Sequence, residues 1–396
     1  MAASAPGRVD EVRVLHLTTG GPGAGLLLRL RLIRPELGVG SPRTAIVLAA
    51  VTWLPLLILS IIGGVALGGC QIPFLRDIAA QTRFLFALPE LLLAEGTVGA
   101  RLREMVAHLL DAGLVLPKDI PRFAEVVEDA LRIRDSRRAE LIVLALSYIS
   151  LYTTFATTRI QTGSSWFEPD GGSFSWAGYW YVFVAMPIFQ FLIYRWVYRM
   201  FVWGRFLRKV AQLDLNLSPA HPDGAGGLGF LGRSLVPFGT VMFALASVVS
   251  SSIASRVLFA KADLYSFIPN YVAMLVIALI VFAGPLLVFV PKLIRLKHHG
   301  LMLYGSLAAR YTQLFDARWV RMVAHETDAS VLGVGDIQSL ADLGNSYEFV
   351  HKMKAVPIEP NDFLMLLVPA MVPAVPLLAT VMSVTDILKG LFRLIA

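Results

Sequence analysis

Cysteine is nearly absent from this chain: Cys70 is the single one, so no internal disulfide can form. Charge is also scarce, at 16% of residues against about 25% in an ordinary soluble domain. The shortage of charge, with a 56% hydrophobic fraction, argues against one or two soluble domains. No basic module of a nucleic-acid-binding kind interrupts the sequence, so no nucleic-acid partner is expected. Histidine and cysteine nowhere fall at metal-ligand spacing, and His298-His299, being adjacent, project about 100° apart on a helix rather than chelating together. No metal, cofactor or catalytic residue is therefore assigned, and the reading leans away from an enzyme.

What the chain has instead is long apolar runs. Residues 45–69, 141–158, 178–203, 235–255 and 265–291 are almost free of charge, and 363–385 is similar but broken by prolines. Each is long enough for a helix across a hydrocarbon layer of about 30 Å. The expected fold is an all-α integral membrane protein, a bundle of six to seven spans with small helical cytoplasmic segments. The first run begins at residue 45 rather than at a cleavable leader position, so it is expected to be retained.

Lysine and arginine mark the cytoplasmic side. Residues 160–177 contain neither, and their aromatics suit an outer interfacial loop. Arg195, Arg199, Arg205, Arg208 and Lys209, and again the stretch 292–299, place those ends inside. The basic N-terminal region 1–44 is expected inside as well. The first span then ends outside, yet 141 must start inside, so something between must cross back. Only 74–95 is apolar enough, although it carries Arg76, Asp77, Arg83, Glu90 and Glu95. A mid-membrane charge costs about 2.5–3.5 kcal/mol, so such a polar crossing or re-entrant helix needs protein neighbours to shelter it. The alternative is a hairpin of the first run at Gly63-Gly64. Arg83 and Glu90, seven residues apart, share a helical face and form a candidate intramembrane charge pair.

Residues 96–140 read as a cytoplasmic helical cap, 141–291 as a four-span bundle, 292–361 as cytoplasmic amphipathic helices and 362–396 as the last span and tail. The basic amphipathic 292–325 stretch, with a kink expected near Gly300, suits an anionic lipid or a protein partner. Gly344-Asn345 is expected to cap or turn the chain. Oligomerisation is left open.

The most unusual local feature is His221-Pro222-Asp223-Gly224-Ala225-Gly226-Gly227-Leu228-Gly229-Phe230-Leu231-Gly232. Glycines allow tight turns and close approach, and successive backbone N–H groups can cradle an anion. His221 and Asp223 could share a cation or a proton, given a third ligand from elsewhere; compact turn and cap chemistry is the competing account. His221, Asp223, Gly224, Gly226 and Gly227 are the candidate ligand or ion site. Together with 74–95 and the serines at 247, 250, 251, 252 and 255, this turn is expected to form a polar cavity.

The stretches RFLFALPE (83–90), LDLNLSPAHPDGAGGLGFLG (213–232), AGPLLVFVPKL (283–293), GLMLYGSLAARY (300–311) and GDIQSLADLGNSYEFVHKM (335–353) resemble a group of bacterial multi-pass inner-membrane proteins with no assigned activity. The resemblance implies a bacterial inner-membrane protein with one continuous membrane domain from about residue 45 onward, and carries no residue roles. Transport or channel activity is the leading functional expectation. A membrane scaffold or sensor, and a lipid-headgroup enzyme using His221 and Asp223, are the alternatives.

Overall fold

A computed structural model describes residues 20, 21, 23, 25, 40–159, 164–169, 172–321 and 335–378, without the side chains of 153–159. The basic N-terminal region and the C-terminal tail lie largely outside the described residues. Among them the chain is all helix, and the sole β features are isolated bridges.

The helices are α1 (Pro42–Ile62), α2 (78–111), α3 (Ile120–Arg134), α4 (Arg137–Arg159), α5 (Trp176–Val210), α6 (Gly229–Ala260), α7 (Leu264–Val320), α8 (Gly335–His351) and α9 (Pro360–Leu378). Five of them, α1, α5, α6, α7 and α9, are long and apolar enough to cross a membrane. That is the composition of a membrane-embedded protein. The five stand against the six to seven expected, because α2 carries several charges and half-polar turns, and part of α4 lies outside the described side chains.

Local chemistry sets the boundaries. Ser41 caps α1 with its hydroxyl and Pro42 occupies the first turn, where its missing N–H costs nothing. The helix ends at Ile62 rather than at 69, because Gly63 caps it and Gly64 takes φ +68°. The glycine pair is thus a stop, and the hairpin alternative is excluded. The expected break between 74–95 and 96–140 does not exist. One helix, α2, runs through both, as Ile78–Gln81, a π turn at Thr82–Ala87, and Leu88–Asp111. Pro89 sits just past the π turn, which supplies the slack its ring requires. Within α7 the mid-helix irregularity is the 3₁₀ stretch Gly284–Phe289, with a 3₁₀ start at Leu264–Phe267 and a π turn at Asp316–Val320, and Gly300 lies in regular helix. Gly344-Asn345 lies inside α8, whose helix runs on to His351.

The loops gather at two ends of the bundle. At one, Trp166 is fully buried, its indole N–H donates to Asp77 at 2.9 Å, and its ring packs on Phe74 and Tyr181. The backbone N–H of Trp166 donates to Ile72 O at 3.0 Å. The start of α5 presses on this loop. A Cβ on Gly178 would stand 2.3 Å from Phe167 O, so only glycine permits the approach. At the other end, Asn216 N–H donates to Leu114 O at 2.8 Å, Lys354 N–H to Gly224 O at 2.7 Å, and the Lys297 ammonium to Met353 O at 2.7 Å. Chain segments after α2, after α5, after α8 and midway along α7 therefore meet at this glycine-turn end. α2 connects the two ends through the core, burying Phe84, Leu88, Leu91, Leu92, Val98, Leu102 and Val106. It is sheltered by protein on most of its length, as its charges require.

Candidate functional site

The glycine-rich turn is built around one carboxylate. Gly224, Gly226 and Gly227 take φ +63°, +68° and +98°, conformations closed to most side chains. Asp223 Oδ1 accepts from Ala225 N–H at 2.8 Å and Gly227 N–H at 3.1 Å, and Oδ2 accepts from Gly229 N–H at 2.8 Å. The two-residue bond to Ala225 is an Asx-turn. His221 Nδ1 lies 2.9 Å from Oδ1. The nest is real, and the anion it holds is Asp223 itself. Burial works to raise the pKa of Asp223, but the N–H groups of Ala225, Gly229 and Gly227, with His221, together hold it below the ordinary carboxylate value.

The expected His221–Asp223 contact is therefore present, but as turn architecture. Its oxygens are already engaged, and no group of three histidine, cysteine, aspartate or glutamate side chains suited to a metal exists among the described residues. The third ligand that cation binding required is not supplied.

Below the turn lies a cavity of about 450 Å³. Its wall joins parts of the chain far apart in sequence: His108 in the last turn of α2, and Ala112 and Leu114 just after it; Asn216, Ser218, His221, Asp223, Gly226 and Gly227 of the loop; Phe230 and Arg233 at the start of α6; Glu359 and Asp362 at the start of α9. Glu359 and Asp362 form a reciprocal capping box, and Glu359 also meets the Lys354 ammonium at 3.1 Å. His108 stands edge-on to Phe230 at 4.5 Å between ring centres.

The expected single polar cavity is divided. The serines of α6 and the start of α2 line a separate cavity of about 540 Å³ with Ile78, Thr82, Phe86, Ser247, Ser250, Ser251, Pro373 and Pro376. A third, apolar cleft of about 700 Å³ runs between α5, α6 and α7 and contains no titratable side chain.

The candidate pair Arg83–Glu90 is not formed. Arg83 donates instead to the Tyr181 hydroxyl at 2.7 Å and lies over the Phe189 ring. The cause is the π turn at Thr82–Ala87, which contains Arg83 and whose wider winding rotates Glu90 away from the face that a regular helix would give it. The buried charge cluster is elsewhere. Glu95 of α2, 1% exposed, meets Arg199 and Arg195 of α5, 4% and 1% exposed. Arg199 Nη2 donates to Glu95 Oε2 at 3.0 Å, with Nη1 2.8 Å from Oε1, and Arg195 Nη2 lies 3.5 Å from Oε2. By charge distribution alone both arginines belong to the inner flank of a span. Their spacing of four, on one face within an apolar run, is the signal that a carboxylate must meet them.

No protein family, curated protein or solved structure matches this chain.

Proposed function

We propose that the chain is a bacterial inner-membrane protein of transport type, with six to seven spans and the N-terminal region and glycine-turn end in the cytoplasm. One observation carries the transport reading. The turn cavity and the serine cavity, the second mainly apolar with the hydroxyls of Thr82, Ser247, Ser250 and Ser251 in its wall, lie at opposite ends of the same three-helix seam. The turn cavity takes the end of α2 and the starts of α6 and α9. The serine cavity takes the start of α2 and the ends of α6 and α9. Between them α6 buries Leu235, Phe238 and Met242, and α9 buries Leu366 and Ala370. Two vestibules separated by a dry layer are what a carrier with one gate shut presents. Prolines 369, 373 and 376 break α9 along this seam, where backbone must bend for the layer to open.

The two-ended arrangement of loops supports the additional crossings. If α2 and α4 traverse alongside the five apolar helices, successive loops alternate sides, Trp166 outside and Asp223 inside, as the Lys and Arg distribution requires.

The test uses Cys70→Ser protein with single reporters, Ser218→Cys in the turn cavity and Ala254→Cys in the serine cavity. A membrane-impermeant maleimide should reach Ala254→Cys from the periplasm and Ser218→Cys only from the cytoplasm. Met242→Cys in the dry layer should react slowly from either side. Labelling of both reporters from one face, or reaction of Ala254→Cys with lipophilic reagent alone, overturns the transport reading.

A second reading has its own observation. Beyond the turn, α7 exposes Met302, Leu303, Leu307 and Leu314 on a basic helix. This suits binding of anionic lipid or a protein partner by 292–325. Equal flotation of wild type and a Leu303→Ser/Leu307→Ser/Leu314→Ser variant of the isolated 290–320 peptide with phosphatidylglycerol vesicles would remove the lipid form of it.

A further inference from the structure

The charged groups around the turn cavity differ in how far the fold has already engaged them, and this difference selects a ligand class. Asp223 is saturated by three N–H groups and His221. Asp362 caps its own helix, accepting from Glu359 N–H at 2.9 Å, and Glu359 is bound to Lys354. Each carboxylate is thus already engaged by at least one donor of the fold, with which a cation entering the cavity would compete. Arg233 is the opposite case. Its side chain has no hydrogen-bond or ion-pair partner among the described residues. It lines the turn cavity and also an adjoining one of about 280 Å³, and His108 and Phe230 stand with it in both walls.

We propose that this cavity binds a phosphate-bearing anion, gripped by Arg233 with His108 beside it. A guanidinium presents a planar fork of N–H donors that matches two phosphate oxygens at once. It stands in the 3₁₀ segment Gly229–Leu235 that opens α6, on the wall shared by the two cavities, so that a ligand in either meets it. The turn opposite is rigid before any ligand arrives, because Asp223 has already fixed it, so little ordering entropy opposes binding. The inference rests on the transport reading only in taking this cavity as a working site. The phosphate group can belong to a free solute or to an anionic lipid headgroup.

Ser218→Cys in a Cys70→Ser background reports occupancy, since Ser218 is exposed on the cavity wall. In phosphatidylcholine nanodiscs, about 10 mM inorganic phosphate at a Kd of about 1 mM should slow maleimide labelling about tenfold. Choline or magnesium chloride at equal ionic strength should not. If the occupant is a headgroup, nanodiscs containing phosphatidylglycerol should show the slowing with no phosphate added. Either form of protection must vanish in Arg233→Gln and return in part in Arg233→Lys, with unfolding temperature and elution volume unchanged. Rapid labelling that neither phosphate nor phosphatidylglycerol slows, protection by magnesium alone, or protection that survives in Arg233→Gln overturns the proposal while leaving the cavity standing. Failure of Ser218→Cys to react at all removes the cavity as a working site, and the proposal with it.

Discussion

Replacing Glu95 by glutamine should be among the most damaging single changes in the bundle. Glu95 is the one carboxylate between Arg195 and Arg199, and all three side chains are buried. At 2.8–3.5 Å and an effective dielectric of about 20, each attraction amounts to about 5–6 kcal/mol before desolvation is subtracted. Desolvation consumes most of that in the intact cluster, but removing the carboxylate takes away the counter-charge that the two buried guanidinium groups share. The expected cost is about 3–5 kcal/mol. Read as unfolding temperature in detergent micelles, this corresponds for a chain of 396 residues to a fall of about 4–6 °C. The geometry also ranks the partners. Arg199 makes the short contacts, whereas Arg195 stands at 3.5 Å and also donates to Gly20 O at 3.3 Å. Arg195→Met converts an excess-positive triad into a neutral pair and should cost less than about 1 kcal/mol. Arg199→Met should fall between. A Glu95→Leu/Arg195→Met/Arg199→Leu variant should recover most of the loss, because apolar packing replaces charges that no longer need partners. The reasoning fails if Glu95→Gln unfolds within about 1 °C of wild type, or if Arg195→Met costs as much as Glu95→Gln.

Two further predictions concern the cap and the loop at opposite ends of the molecule. Asp129 of α3 is held at a pKa of about 2, mainly by its hydrogen bond from Lys209, with Arg132 and the charge of Arg205 adding to it against partial burial. Its folded pKa lies below the unfolded one, so its contribution of about 2 kcal/mol is complete above the ordinary carboxylate range and lost as pH falls from about 4 towards 2. Asp129→Asn should therefore lower the unfolding temperature at pH 7 and flatten its acid dependence, and an unchanged acid profile would contradict the ion cluster. Gly178→Ala drives a methyl against the backbone carbonyl of Phe167. It should cost about 1–3 kcal/mol, while Gly172→Ala in the same loop, with nothing within 4 Å of the added methyl, should be silent in the same melting assay.

Legibility followed the range of the interactions. Helices written in local composition were readable: the apolar runs became α1, α5, α6, α7 and α9, with ends moved by Ser41, Gly63 and the 3₁₀ stretch after Gly284. The need for 74–95 to be sheltered was also readable, since its charges demand it, and α2 is indeed packed on most sides. The partner of Glu95 was not readable, because it lies about 100 residues downstream on α5. Arg83 and Glu90 do not meet because the backbone makes a π turn where their spacing implies an ideal helical period. At the candidate site the turn residues were visible as a cluster of glycines with one aspartate. Arg233 and His108 were not, since a lone arginine after a loop and a lone histidine at a helix end acquire meaning only when folding places them in the wall of one cavity.

The 57 residues of α7 form a single rod of about 85 Å, far longer than a bilayer is thick. The rod is jointed at Gly284–Phe289, and just past the joint it is bolted to the cavity's own ribbon. Lys292 donates to Leu213 O, Lys297 to Met353 O, and Gly300 touches Pro219. A swing of about 10° at the joint displaces Phe315, 26 residues on, by about 7 Å. It also tugs the floor beneath Asp223, so a push on the distal tip, by lipid or by another molecule, is felt mechanically at the mouth of the pocket.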